Sequence, residues 1–337
     1  AGRRAGASGA LSGRVIPRMT TERPQVLFVA PDRIGDCVIA SGVIREIDRQ
    51  VPGAAITVAC GPPAAALFRS APGVVRVIVL HKKKMAGHWI ALWRQTFATR
   101  WAMVIDIRGS LLAWQLRAKV RKIYNRSYEG GRKVQTVSRM MSAATDLEPE
   151  IFLDDKARRD AEAVIAPQLA SGAGPGPILA LAPIANQPGK SWSPERWGEL
   201  TARLMAEPRF DGWRFMPMGG PGDERFAAQT LEAAGPRGMD FVGRGDILAS
   251  AAAMERATLF VGNDSGLMHV AAAVGRPTLG LFGPTEWWLY GAWGPHARTV
   301  ASNPNRGQFA PIEDLDVDRV FQAVLDLYDA YPPVTEP

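Results

Sequence analysis

The chain has 337 residues, 47% of them hydrophobic and 22% charged, with 40 Lys and Arg against 33 Asp and Glu, a formal charge of +7 and a pI near 9.7. That length suggests about two domains, each able to bury its own core, and the composition excludes a disordered or fibrous chain. Two cysteines, Cys37 and Cys60, rule out a disulfide framework, and the absence of a Cys-x-x-Cys pair removes the commonest zinc signature, which fits a reducing, cytoplasmic setting.

Residues 1–24 carry Arg3, Arg4, Arg14, Arg18 and Arg23 among Ala, Gly and Ser, without the continuous apolar stretch of a secretory signal. They read as a disordered basic tail. The first residue is Ala1 rather than Met, so a longer natural N-terminus is expected. No apolar run approaches the roughly 20 residues of a membrane span. From residue 25 the pattern becomes regular. Gln25–Ala30, Ala55–Ala59, Val74–Leu80 and Met103–Ile107 are unbroken apolar runs, as strands of a parallel sheet covered on both faces should be. Ala40, Val43, Ile44 and Ile47 lie on one helical face between the first two runs. This first half is assigned to residues 25–165. Three Gly and three Pro in Ala166–Pro177 predict a linker.

A second α/β series occupies 178–311. Strands are predicted at Ile178–Ala182, Trp213–Met218, Asp240–Val242, Thr258–Val261 and Thr278–Phe282. Helices are predicted at Pro194–Met205, Asp223–Ala233, Ile247–Arg256 and Gly266–Val274. Residues 312–337 form a C-terminal helix and tail, built on Val317, Val320, Phe321, Val324 and Tyr328, with packing back onto the first half left open. The fold class is α/β, two Rossmann-like doubly wound parallel sheets, with ligands expected in the cleft at the carboxyl ends of the strands.

Three strand-to-helix turns carry chemistry. In Asp32-Arg33-Ile34-Gly35-Asp36 the second acid opens the first helix, where capping alone also explains it. In Asn263-Asp264-Ser265-Gly266-Leu267-Met268-His269 the first helical N–H groups form an anion site, and small residues let a phosphate approach. After the first strand of the second half stands Pro188-Gly189-Lys190-Ser191-Trp192. It lacks the first Gly of a P-loop, but Lys190 can meet a phosphate as a point charge. Glu224 opens a helix after a Gly-rich turn and can take ribose hydroxyls. Asp154-Asp155 reads as a solvated turn, and no cluster of acids or histidines has the spacing of a metal site.

Together these motifs resemble glycosyltransferase family nine, whose best-known members are ADP-heptose:lipopolysaccharide heptosyltransferases. The resemblance rests on Gly35-Asp36, on Asp264-Ser265-Gly266-Leu267-Met268-His269 with its sequel Arg276-Pro277 and Gly283-Pro284-Thr285, and on Lys190, Trp192 and Trp197. It implies a GT-B architecture with the acceptor on the N-terminal half and the nucleotide sugar on the C-terminal half. It also implies inverting transfer that uses no metal and no cofactor beyond the donor, ADP-heptose or a related nucleotide sugar. Asp36 would be the general base. Lys190, Glu224, Asp264, Ser265, Gly266, Leu267 and His269 would bind the donor. The pattern departs from the family's at Ser41-Gly42, where Leu-Pro is common.

The charge is uneven. Between His81 and Arg139 there are 14 Lys and Arg against Asp106 and Glu129, a net of +12, while the rest of the chain is net −5. Arg33, Lys82, Lys83, Lys84 and Arg108 are therefore assigned to a lipid-linked anionic glycan acceptor. Peripheral contact with an anionic membrane, on the cytoplasmic face of the inner membrane, is expected. Two other readings share these features: a sugar-nucleotide epimerase with the two-half cleft, and a basic nucleic-acid-binding protein. No helix-turn-helix, zinc finger or RNP-like pattern supports the latter, and no nucleic acid is expected as partner.

Overall fold

The computed structural model describes residues 23–82, 84–171, 174–185, 187 and 189–333. Nearly all of the basic tail, and Lys83, lie outside these residues. Five parallel strands build the first sheet: β1 (Gln25–Val29), β2 (Ala55–Cys60), β3 (Val74–Val79), β4 (Trp101–Asp106) and β5 (Ala118–Ile123), in the order β3-β2-β1-β4-β5. One face of β1, through Val26 and Phe28, packs on α1 (Ile34–Ile39), α2 (Val43–Gln50) and later α5 (Lys133–Met141). The other face, through Leu27 and Val29, packs on Leu92 of α3 (Gly87–Thr96) and on Leu112 and Ala113 of α4 (Leu112–Gln115).

The predicted stripe Ala40, Val43, Ile44 and Ile47 is buried, yet the helix breaks within it: Ala40 closes α1, while Val43, Ile44 and Ile47 belong to α2. The break falls where a distant segment docks. A Cβ on Gly42 would stand 2.5 Å from the Glu148 carbonyl oxygen, and Ser41 Oγ accepts from the Glu150 N–H at 2.7 Å. The Ser41-Gly42 departure from the family pattern thus receives the 147–150 segment.

The chain then enters α6 (Asp155–Ala170), capped by the Asp154 carboxylate, which accepts from the Ala157 N–H at 2.7 Å. The second sheet contains β6 (Ile178–Ala182), β7 (Arg214–Gly219), β8 (Phe241–Val242), β9 (Leu259–Asn263), β10 (Thr278–Phe282) and β11 (Ala297–Ala301), in the order β11-β10-β9-β6-β7-β8. Its helices are α7 (Pro194–Ala206), α8 (Glu224–Ala234), α9 (Ile247–Arg256), α10 (Gly266–Ala273), α11 (Trp287–Tyr290) and α12 (Val317–Ala330). Strands β9, β6 and β7 are neighbours, so the loops leaving their carboxyl ends stand side by side.

Three expectations change and one left open is resolved. Residues Ala166–Ala170 belong to α6, with Pro167 inside the helix, and not to the linker. Helix α6, assigned by sequence to the first half, packs on α9 of the second. Arg158 meets Glu255 at 3.0 Å and Arg256 meets Glu162 at 3.1 Å. Helix α12 packs on α7, β10 and β11, so it stays with the second half rather than returning to the first. The turn at Asp154 is also more than solvated: Arg69 bridges Asp154, at 3.0 Å, and Asp246, which caps α9.

Candidate active site

Two helix starts meet across the cleft. On the first half, β1 ends and Arg33, in extended conformation, precedes α1, which puts Asp36 in its opening turn. On the second half, β9 ends and Ser265 precedes α10. The contact is made through glycines. A Cβ on Gly35 would lie 3.0 Å from the His269 ring, and a Cβ on Gly266 would lie 2.8 Å from Ile34 Cγ2 and 3.3 Å from the Gly35 nitrogen. Only residues without side chains let the two turns approach this closely.

Asp36 is half-buried, and among the described residues its carboxylate has no hydrogen-bond or ion-pair partner. Burial pushes its pKa above the ordinary aspartate value, against the opposing pull of Arg33, Lys133 and Lys190, while the negative Asp264 adds to the rise. An unpartnered carboxylate held above its usual range is suited to taking a proton.

Facing it is a polar cluster. Lys190 Nζ lies 2.7 Å from Asp264 Oδ2, and Thr285 Oγ1 donates to the same oxygen at 2.8 Å. Asp264 is buried and Lys190 nearly so. The β6–α7 loop that carries Lys190 is closed by Ser191, whose hydroxyl accepts from the Ala185 N–H at 2.9 Å. Trp192 and Trp197 are fully buried and meet edge-on at 5.6 Å, anchoring the loop's far side in the core. Two buried groups beside the cluster lack partners among the described residues, Asn263 Nδ2 and Ser265 Oγ. Ser265 does not cap α10 with its side chain, so the first N–H groups of that helix remain available to an anion.

His269 is buried one turn into α10. Burial pulls its pKa down to about 4, with the nearby Asp264 pulling the other way. It is therefore neutral at pH 7, packed under Gly35. Glu224 stands apart from this cluster, at the first position of α8. Its carboxylate accepts from the Gly222 N–H at 3.1 Å, and its own backbone N–H and that of Gly222 hold its pKa below the ordinary glutamate value.

On the first half the predicted acceptor residues divide. Arg33 and Lys84 are exposed. Lys82 is exposed and 3.6 Å from Asp32. Arg108 is engaged internally: Nη1 donates to Asp32 at 2.8 Å and the guanidinium lies 4.5 Å above the Trp89 ring. Lys83 lies outside the described residues. The motif reading missed three participants. Thr285 binds Asp264. Lys133, at the start of α5, adds positive potential at Asp36. Arg132 donates to the Gly291 and Ala292 carbonyls at 2.7 and 2.6 Å and stacks on Trp293, tying α5 to the second half. Thr285 was in view within Gly283-Pro284-Thr285; the other two were visible only as members of a basic stretch.

The family described as "Glycosyltransferase family 9 (heptosyltransferase)" matches residues 101–311. Lipopolysaccharide heptosyltransferase 1 of Pseudomonas aeruginosa is 26% identical over 301 residues, spanning 80% of this chain and 81% of that protein. The solved family 9 glycosyl transferase of Veillonella parvula superposes with a TM-score of 0.77 at 17% identity, over 91% of this chain and 98% of the other. The E. coli heptosyltransferase WaaC, solved with ADP, gives a TM-score of 0.68 at 18% identity, over 90% and 99%.

Proposed function

Because the chain belongs to glycosyltransferase family 9, we propose that this GT-B glycosyltransferase moves a heptose from ADP-heptose to a lipid-linked, lipopolysaccharide-core-like glycan, with inversion at the transferred carbon. The observation that carries the reading is the free Asp36 carboxylate facing the Lys190–Asp264 cluster across the Gly35–Gly266 contact.

Asp36 takes the proton from the acceptor hydroxyl as its oxygen attacks the anomeric carbon from the face opposite the diphosphate. The bond to the ADP oxygen breaks, and its electron pair leaves with ADP. Lys190 and the N–H groups at the start of α10 meet the charge that develops there, so the role a cation would play falls to side chain and backbone. Donor binding exchanges partners: the diphosphate draws Lys190 from Asp264, and Asp264 turns to hydroxyls of the sugar. Glu224 takes the ribose. Exposed Arg33, Lys82 and Lys84 meet acceptor phosphates or acidic sugars.

The test is ADP release from ADP-heptose and a truncated lipopolysaccharide core. Asp36→Asn should lower kcat about 10²–10⁴-fold with donor affinity within a few-fold of wild type. In the wild type, activity should rise with pH through a pKa above the ordinary aspartate value, because the base works ionised. An Asp36→Asn enzyme of near-normal kcat removes Asp36 from the base role.

A further inference from the structure

The layer formed by α3 and α4 on the outer face of the first sheet is apolar outside as well as inside. Ile90 of α3 and Phe97, the residue that closes it, are seven residues apart and share an outward stripe with Arg94 between them. Leu111, the residue before α4, and Trp114 of α4 are 78% and 66% exposed. Ahead of α3, Met85 and Ala86 both adopt left-handed backbone angles, φ 47° and 56°, an unfavourable conformation for residues with a Cβ. The turn leaves the Met85 side chain 94% exposed. Burying none of these groups is costly in water unless something else covers them.

Their surroundings have one sign. From His81 to Ile123 the chain contains ten Lys and Arg, and its one acid, Asp106, is fully buried. Lys84, Arg94, Arg117 and Lys119 are exposed and form no ion pair among the described residues. The face also adjoins the cleft. Trp89 of α3 supports Arg108, Arg108 holds Asp32, and Asp32 lies four residues before Asp36. Leu111 follows Arg108 by three residues on the loop leaving β4.

We propose that this face docks on an anionic phospholipid bilayer, with Leu111, Trp114, Met85 and the Ile90–Phe97 stripe entering the interfacial region and the unpaired cations meeting lipid phosphates. The inference rests on the acceptor reading above, since it brings the basic mouth of the cleft to a lipid-borne acceptor. Trp favours the membrane interface, and the pairing of apolar side chains with cations fits a surface-bound mode. Among the described residues no helix is long and apolar enough to cross a membrane.

The full chain is sedimented with phosphatidylcholine vesicles, with and without phosphatidylglycerol, and ADP-heptose binding is followed separately by thermal shift. Wild type should bind the anionic vesicles. Leu111→Ser/Trp114→Ser should bind them at least about tenfold more weakly, as should Arg94→Glu/Arg117→Glu. Both variants should keep wild-type ADP-heptose binding. Wild type that ignores anionic vesicles, or a Leu111→Ser/Trp114→Ser protein that binds them unchanged, overturns the proposal. Capture of nucleic acid in preference to vesicles overturns it too. Vesicle binding without any ADP-heptose binding leaves the docking face standing and sinks the transferase reading instead.

Discussion

Asp264 and His269 sit five residues apart on one turn and helix, yet they solve opposite electrostatic problems. Asp264 is buried with its carboxylate held by Lys190 and Thr285. His269 is buried without such support and stays neutral. Its folded pKa of about 4 lies below the unfolded value of 6.5, so between those limits the unfolded chain binds more protons. Stability should therefore be complete above about pH 6.5 and fall as the pH drops toward 4, by up to about 3 kcal/mol from this residue. Urea denaturation at pH 7 and pH 4.5 checks this. His269→Gln should show a flatter pH dependence than wild type, and an equally steep one assigns the loss to other groups.

At the scale of elements, the site exists because α1 and α10 start against each other. A side chain at residue 266 would strike Ile34, and the two helix starts would have to part. Gly266→Ala is expected to cost about 1–3 kcal/mol and to lower kcat more than it weakens donor binding. Pairing it with Ile34→Ala should restore part of the melting temperature. A Gly266→Ala enzyme with unchanged melting temperature and kcat would show that the close approach is dispensable. These turns were legible in the sequence because strand-to-helix junctions carry their signal locally: an apolar run, then a small residue and an acid. The central strands were legible for the same reason. Strands β5 (Ala-Lys-Val-Arg-Lys-Ile) and β11 (Ala-Arg-Thr-Val-Ala) were not. Both lie at sheet edges, where charge protects against stray pairing and dilutes the apolar run. The helix break at Gly42 was hidden because its cause lies over a hundred residues downstream. Thr285 stood in a quoted motif without a role, and Lys133 reaches the site through tertiary placement that no local pattern announces.

At the scale of the whole molecule, the sequence places the boundary between halves at its Gly- and Pro-rich run, and the packing places it elsewhere. Residues 147–152 lie on the first half, held by Ser41, by Arg45 against Glu150 at 2.7 Å, and by Ser70 donating to the Phe152 carbonyl at 2.6 Å. Helix α6 lies on the second half, and buried Arg214 of β7 donates to the Gln168 carbonyl near its end at 2.9 Å. The changeover falls at Asp154, under Arg69. A protease site inserted in residues 171–177 should thus yield two pieces that co-elute in gel filtration, because α6 is already a guest of the other half. Separation of the pieces in native buffer would return the boundary to the glycines. If the halves swing, the pivot is this arginine-pinned crossing, and α6 travels with the second half.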